Sequence, residues 1–89
     1  MSVQLQRAGQ LTVSGRMLLA MFNGRREKAW RTVEFEKELN VAQSTVTYSS
    51  SQLRRAYLIE RIVGGRYTLT AEGAMAAERL KEEFSDPEQ

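Results

Sequence analysis

The chain contains no cysteine and no histidine. That double absence removes disulfides, zinc-finger ligand sets, thiol nucleophiles and imidazole bases, so a metal- or thiol-based sensor is not expected. Carboxylates, Ser and Lys remain, but none forms a catalytic constellation. Ser49, Ser50 and Ser51 lack a partner base, and Glu34, Glu36 and Glu38 scatter around a helix rather than converging on a metal. No enzymatic activity and no cofactor are expected. Also missing is any apolar run near the roughly 20 residues that span a bilayer. The opening stretch MSVQLQRAGQLTVSG lacks the apolar centre of a signal peptide, which makes a cytoplasmic protein the expectation.

What is present is ordinary in amount and uneven in distribution. The 89 residues, 42% hydrophobic and 27% charged, suffice for one domain with one modest core. Residues 1–71 carry 11 basic and 5 acidic groups, whereas residues 72–89 set six acids against Arg79 and Lys81. A basic body with an acidic end points to an anionic partner for the body. The expected division is an amino-terminal arm or partner-binding segment over 1–13, one folded domain over 14–84, and a fraying polar tail over 85–89. No internal repeat stands out.

Hydrophobic spacing supplies the elements. Ser14 is expected to cap a helix to Asn23, with Met17, Leu18, Met21 and Phe22 on one stripe. Ala29-Trp30-Arg31 suits a very short strand. Thr32 then caps a helix from Val33 to Leu39, with Phe35 and Leu39 sharing a face and Asn40 ending it. The next stretch, AQSTVTYSSSQLRRA, is polar and rich in mediocre helix formers. Its apolar content nevertheless follows helical spacing: Val46, Ser50, Leu53 and Tyr57 are separated by 4, 3 and 4 residues and define an inward stripe. A helix from Gln43 to Ala56, only a short turn after its predecessor, makes a helix-turn-helix. YLIERIVGGRYTLT reads as a hairpin, with strands Ile59 to Val63 and Arg66 to Leu69 joined by a tight Gly64-Gly65 turn. Thr70 caps a final helix from Ala71 to Phe84, with Met75 or Ala77, Leu80 and Phe84 facing inward.

The expected fold is mainly α with a small β-hairpin: helix, short strand, helix, helix, two-stranded wing, helix. VEFEKELNVAQSTVTYSSSQLRRAYLIER and RYTLTAEG, which together cover most of residues 32–73, resemble MarR-like and related small bacterial and archaeal regulators of the winged helix-turn-helix class. Two positions depart from that pattern. Ser50 stands where a large apolar residue is usual, implying a closer helix approach or a poorer core. Tyr57 stands where the resemblance places Gly, implying a non-glycine conformation with the ring over the helix end.

The resemblance implies double-stranded DNA as partner, with helix 43–56 in the major groove and its amino-terminal half toward base edges. Gln43, Ser44, Thr45, Thr47, Tyr48 and Ser51 are then the base-facing candidates. Gln43 can bond adenine through two contacts, and Ser and Thr offer hydroxyls and methyls. Arg54 and Arg55 are placed for phosphates, and Arg66 at the wing for backbone or minor groove. Arg25, Arg26, Lys28 and Arg31 form a flanking basic cluster. Since one such helix touches few base pairs, a homodimer is expected, joined through the terminal helix, the amino-terminal segment or both. The chain leaves little room for a sensor pocket, so a small-molecule effector is doubtful. The rival expectation is a winged helix used for protein contacts. Single-stranded or RNA binding is disfavoured because only Tyr48 and Tyr67 offer stacking rings.

Overall fold

A computed structural model of the chain describes residues 3–24 and 29–84. Eight elements follow in order: β1 (Gln6–Arg7), β2 (Gln10–Leu11), α1 (Val13–Asn23), α2 (Thr32–Leu39), α3 (Gln43–Arg55), β3 (Ile59–Ile62), β4 (Arg66–Leu69) and α4 (Ala71–Phe84). No helix among the described residues is long and apolar enough to cross a membrane.

The core collects the apolar stripe of every helix. Met17, Leu18 and Met21 from α1, Phe35 from α2, Val46 and Leu53 from α3 and Ala77 from α4 are essentially sealed from solvent. Burying each large side chain contributes roughly 1.5–3 kcal/mol, which outweighs the poor intrinsic helicity of α3. Trp30 closes the core at one edge. Its backbone exchanges hydrogen bonds with Tyr67 at 2.8 and 2.7 Å, so the expected short strand is a single bridge onto β4. The indole stacks on Phe35 with centroids 4.8 Å apart.

Several expectations need correction. Thr12, not Ser14, caps α1, accepting from the Gly15 N–H at 3.2 Å, and Ser14 is instead buried. The helix α2 begins at Thr32 itself; the Arg31 N–H is taken by the Glu34 carboxylate at 2.9 Å. Tyr57 is not on the inward stripe: α3 ends at Arg55, and the Tyr57 side chain is 76% exposed. Nor does it avoid the glycine conformation, because its φ is 63°. Register pairs Ile62 with Arg66, so the wing turns through three residues, Val63 to Gly65, rather than two. On α4 the buried choice is Ala77; Met75 points to solvent at 57% exposure, and Phe84 is half-buried.

Residues 3–12, which show no sequence pattern, fold onto the domain. β1 and β2 pair antiparallel around Ala8-Gly9, both at positive φ, the geometry of a primed two-residue turn. This hairpin exposes a repeat missed in the sequence. Leu11-Thr12-Val13-Ser14-Gly15-Arg16-Met17 and Leu69-Thr70-Ala71-Glu72-Gly73-Ala74-Met75 share the pattern L-T-x-x-G-x-M. In each copy a hairpin leads into a helix, and the Thr N–H donates at 3.1 Å to the carbonyl of a Leu preceding that hairpin, Leu5 or Leu58. Each Thr hydroxyl donates to the residue before that Leu, Gln4 at 2.7 Å or Tyr57 at 2.6 Å, while accepting from the Gly N–H. A Cβ on Gly15 or Gly73 would lie 2.1 or 1.9 Å from the same Leu carbonyl oxygen, so the close approach requires glycine. The amino-terminal hairpin is built like the wing.

Candidate nucleic-acid interface

Three residues, Asn40 to Ala42, join α2 to α3. Asn40 takes the left-handed conformation at φ 57° and ψ 52°, and the Asn40 and Val41 N–H groups both return to the Glu36 carbonyl. From the other side, the Arg16 guanidinium donates at 3.0 Å to the Leu39 carbonyl, satisfying the end of α2. The angle between the two helices is therefore held by backbone bonds and one cation from α1.

This turn sets which face of α3 is free. Val46, Ser49, Ser50 and Leu53 point inward and are buried. Gln43, Ser44, Thr47, Tyr48 and Ser51 are exposed as expected, whereas Thr45 is half-buried on the flank. Apart from Tyr48, 67% exposed, the outer face up to Ser51 carries no large side chain, and α3 contains no acidic residue. Ser50, anomalous by resemblance, donates its hydroxyl to the Thr47 carbonyl at 3.0 Å. Its polarity is thus satisfied within the helix, and its small volume suits the packed side facing the other helices.

Arg54 and Arg55 are exposed in the last turn of α3, where cations also complement the helix dipole. Arg66 is exposed at the start of β4. Arg61, opposite Tyr67 on β3, adds a second exposed wing cation that the sequence analysis passed over. Strand alternation pointed the other way, since Arg61 shares the face of buried Ile59, and its exposure follows only from the wing leaving the core. Arg31 is exposed just before α2, next to Trp30, whose backbone bridges to β4 of the wing. Arg25, Arg26 and Lys28 lie outside the described residues.

A polar cavity of about 360 Å³ opens beside this face, between the first hairpin, the start of α1 and the Tyr48–Gln52 flank of α3. Nothing in the sequence pattern pointed to it, because it forms only when the hairpin docks. Among the described residues no group of three or more acidic side chains gathers as a metal site.

A three-residue link between α2 and α3, a bridge from Trp30 to the second strand of the following hairpin, and a helix packed back on α1 define a winged helix-turn-helix domain. Solved structures share this fold. The heme sensor protein PefR, solved with heme and carbon monoxide, aligns with TM-score 0.69 and 14% identity over 81% of this chain, which spans 53% of PefR. HlyU from Vibrio cholerae aligns with TM-score 0.61 and 22% identity, over 84% of this chain and 83% of its own. A mutant of ZitR from Lactococcus lactis aligns with TM-score 0.62 and 16% identity, over 100% and 72% respectively. No protein-family model and no curated protein sequence matches the chain.

Proposed function

We propose that the chain is a sequence-specific double-stranded DNA-binding protein, a small transcriptional regulator that inserts α3 into the major groove. The observation that carries this reading is the outer face of α3. It is exposed, short-chained, free of acids and followed by Arg54 and Arg55, with Arg61 and Arg66 on the adjacent wing. Short side chains let the helix lie deep in the groove, where Gln43, Ser44, Thr47, Tyr48 and Ser51 meet base edges and Thr45 meets the groove wall. Arg54, Arg55, Arg66 and Arg31 neutralise phosphates without reading sequence. Arg25, Arg26 and Lys28 would extend the same footprint.

Two half-sites need two copies. The exposed side of α4 suits a second copy: Glu72, Met75 and Arg79 are exposed at helical spacing, beside half-buried Ala76. An antiparallel pairing centred on Met75 and Ala76 sets each Glu72 against the partner's Arg79. PefR was solved with heme, but this chain has no His or Cys to ligate a haem iron, and no effector forms part of the proposal.

The test is a duplex titration across a salt series with wild type, Arg66→Ala and Gln43→Ala. Wild type is expected to bind mixed-sequence duplex at low salt. Arg66→Ala should weaken binding about equally on all sequences and flatten the salt slope by about one unit. Gln43→Ala should instead change which sequences are preferred. Absence of any binding at low salt would sink the proposal. A second reading rests on the wing: Val63 is 90% exposed and Ile62 39% exposed at its tip, an apolar end suited to a protein partner. Loss of duplex affinity on Val63→Lys would be unexpected for a tip that touches only protein.

A further inference from the structure

The cavity beside α3 has a chemistry that the DNA-reading face does not use. Arg7 on β1 lines it, its guanidinium fixed by two hydrogen bonds, from Nε at 3.1 Å and Nη2 at 2.8 Å, to the Gln4 side-chain oxygen. Ser14 and Ser49 line it from α1 and α3, with 6% and 5% of their surface exposed. Among the described residues neither hydroxyl makes a hydrogen bond, although the neighbouring Ser50 hydroxyl does. Each hydroxyl keeps contact with solvent through the cavity, so its hydrogen-bonding capacity is open to a ligand there.

The amino end of α1 faces the same space. Val13 and Ser14 line the cavity, and their N–H groups, the first two of the helix, have no intrahelical acceptor. The first turn holds no acid, and no carboxylate lines the cavity. An oriented guanidinium, unpaired hydroxyls and free helix N–H groups around a carboxylate-free space are the donor set that binds a tetrahedral oxyanion.

We propose that this cavity is a phosphate-binding site, closed by Arg7, Ser14, Ser49 and the first N–H groups of α1. Its position explains one source of the phosphate. A helix 10–12 Å across nearly fills a major groove about 12 Å wide, so whatever flanks the helix meets the phosphates of the groove wall. Tyr48 belongs both to the outer face of α3 and to the rim of the cavity. In that arm the inference rests on the DNA-binding proposal, and the first hairpin acts as a second wing. A free phosphate or phosphorylated small molecule offers the same chemistry and would make the site independent of DNA.

The test uses the isotopically labelled full chain in a phosphate-free buffer. Amide resonances are followed during addition of inorganic phosphate at constant ionic strength and, separately, of a short mixed-sequence duplex. The expected result is saturable movement of the Val13 and Ser14 amides, lost in Arg7→Gln, whose side chain is exposed. Ser49→Ala, which removes only an unpaired hydroxyl, should weaken phosphate binding without lowering thermal stability. If the phosphate belongs to DNA, Arg7→Gln also reduces the slope of log K against log salt by about 0.9, so fourfold more salt costs the variant about threefold less affinity than wild type. Response to phosphate alone, with an unchanged duplex salt slope, assigns the site to a small phosphorylated ligand. Duplex binding with unmoved amides in both titrations and an unchanged slope in Arg7→Gln overturns the site while leaving the DNA proposal standing. Phosphate binding without duplex binding does the reverse.

Discussion

Tyr57 shows how a single residue can mislead a periodicity argument. The spacing of Val46, Ser50, Leu53 and Tyr57 assumes the helix continues, but α3 stops at Arg55 and the chain turns into the wing. The Tyr57 N–H bonds to the Arg54 carbonyl at 3.0 Å, the Leu58 N–H to the Leu53 carbonyl at 3.0 Å, and φ at Tyr57 becomes 63°. A non-glycine residue there carries roughly 1–2 kcal/mol of strain, and its exposed ring recovers little. Glycine removes the strain but adds about 0.5–1 kcal/mol of unfolded-state entropy. Tyr57→Gly is therefore expected to stabilise the domain by up to about 1 kcal/mol. A urea midpoint that rises at unchanged slope would show this, and a fall would mean the ring makes contacts that outweigh the strain. Ser50 is the opposite case, where an anomalous residue proves satisfied locally through the Thr47 carbonyl.

At the scale of elements, the two hairpin-to-helix junctions are the informative comparison. Both use a Thr cap and a glycine pressed against a Leu carbonyl, yet they differ in what holds the hairpin down. The β3–β4 wing has four-residue strands and is bridged to Trp30, whereas β1 and β2 have two residues each. A methyl group cannot occupy either position without backbone movement. Gly73→Ala should cost about 3 kcal/mol or more, read as a large fall in melting temperature, because the wing cannot lift without breaking the core. Gly15→Ala should cost less, because the short hairpin can detach. Faster hydrogen exchange at the Thr12 amide with a nearly native melting temperature would confirm that escape. The L-T-x-x-G-x-M repeat was present in the sequence, but seven residues with four fixed positions carry little weight until the hairpins before them are seen to match.

For the whole molecule, the charge asymmetry gains a spatial meaning. The acid-rich end of the sequence includes α4, which packs most extensively against α1 and also touches β4 of the wing. An acidic helix repels phosphate, which suits it to self-association rather than DNA contact. Met75→Glu is expected to convert a dimer into a monomer in sedimentation and to reduce affinity for two-half-site duplexes, since each copy then binds alone. A wild-type chain that sediments as a monomer at all concentrations, with affinity unchanged by Met75→Glu, would discard the α4 dimer and leave the fold untouched.

The sequence by itself determined the helices, their inward faces, the wing and the helix-turn-helix between Thr32 and Arg55. These follow from local spacing and turn chemistry, which act over a few residues and leave their mark in the residue pattern. It also singled out most outer residues of α3, because fixing Val46 and Leu53 inward turns the opposite side to solvent, with Thr45 on the flank the exception. Tertiary structure alone decided the place of residues 3–12, the exposure of Tyr57 and Met75, and the cavity holding Arg7, Ser14 and Ser49. Those depend on contacts between segments far apart in the chain. Leu5 must reach Gly15, and β1 must lie beside α3, before two ordinary serines and one surface arginine become neighbours.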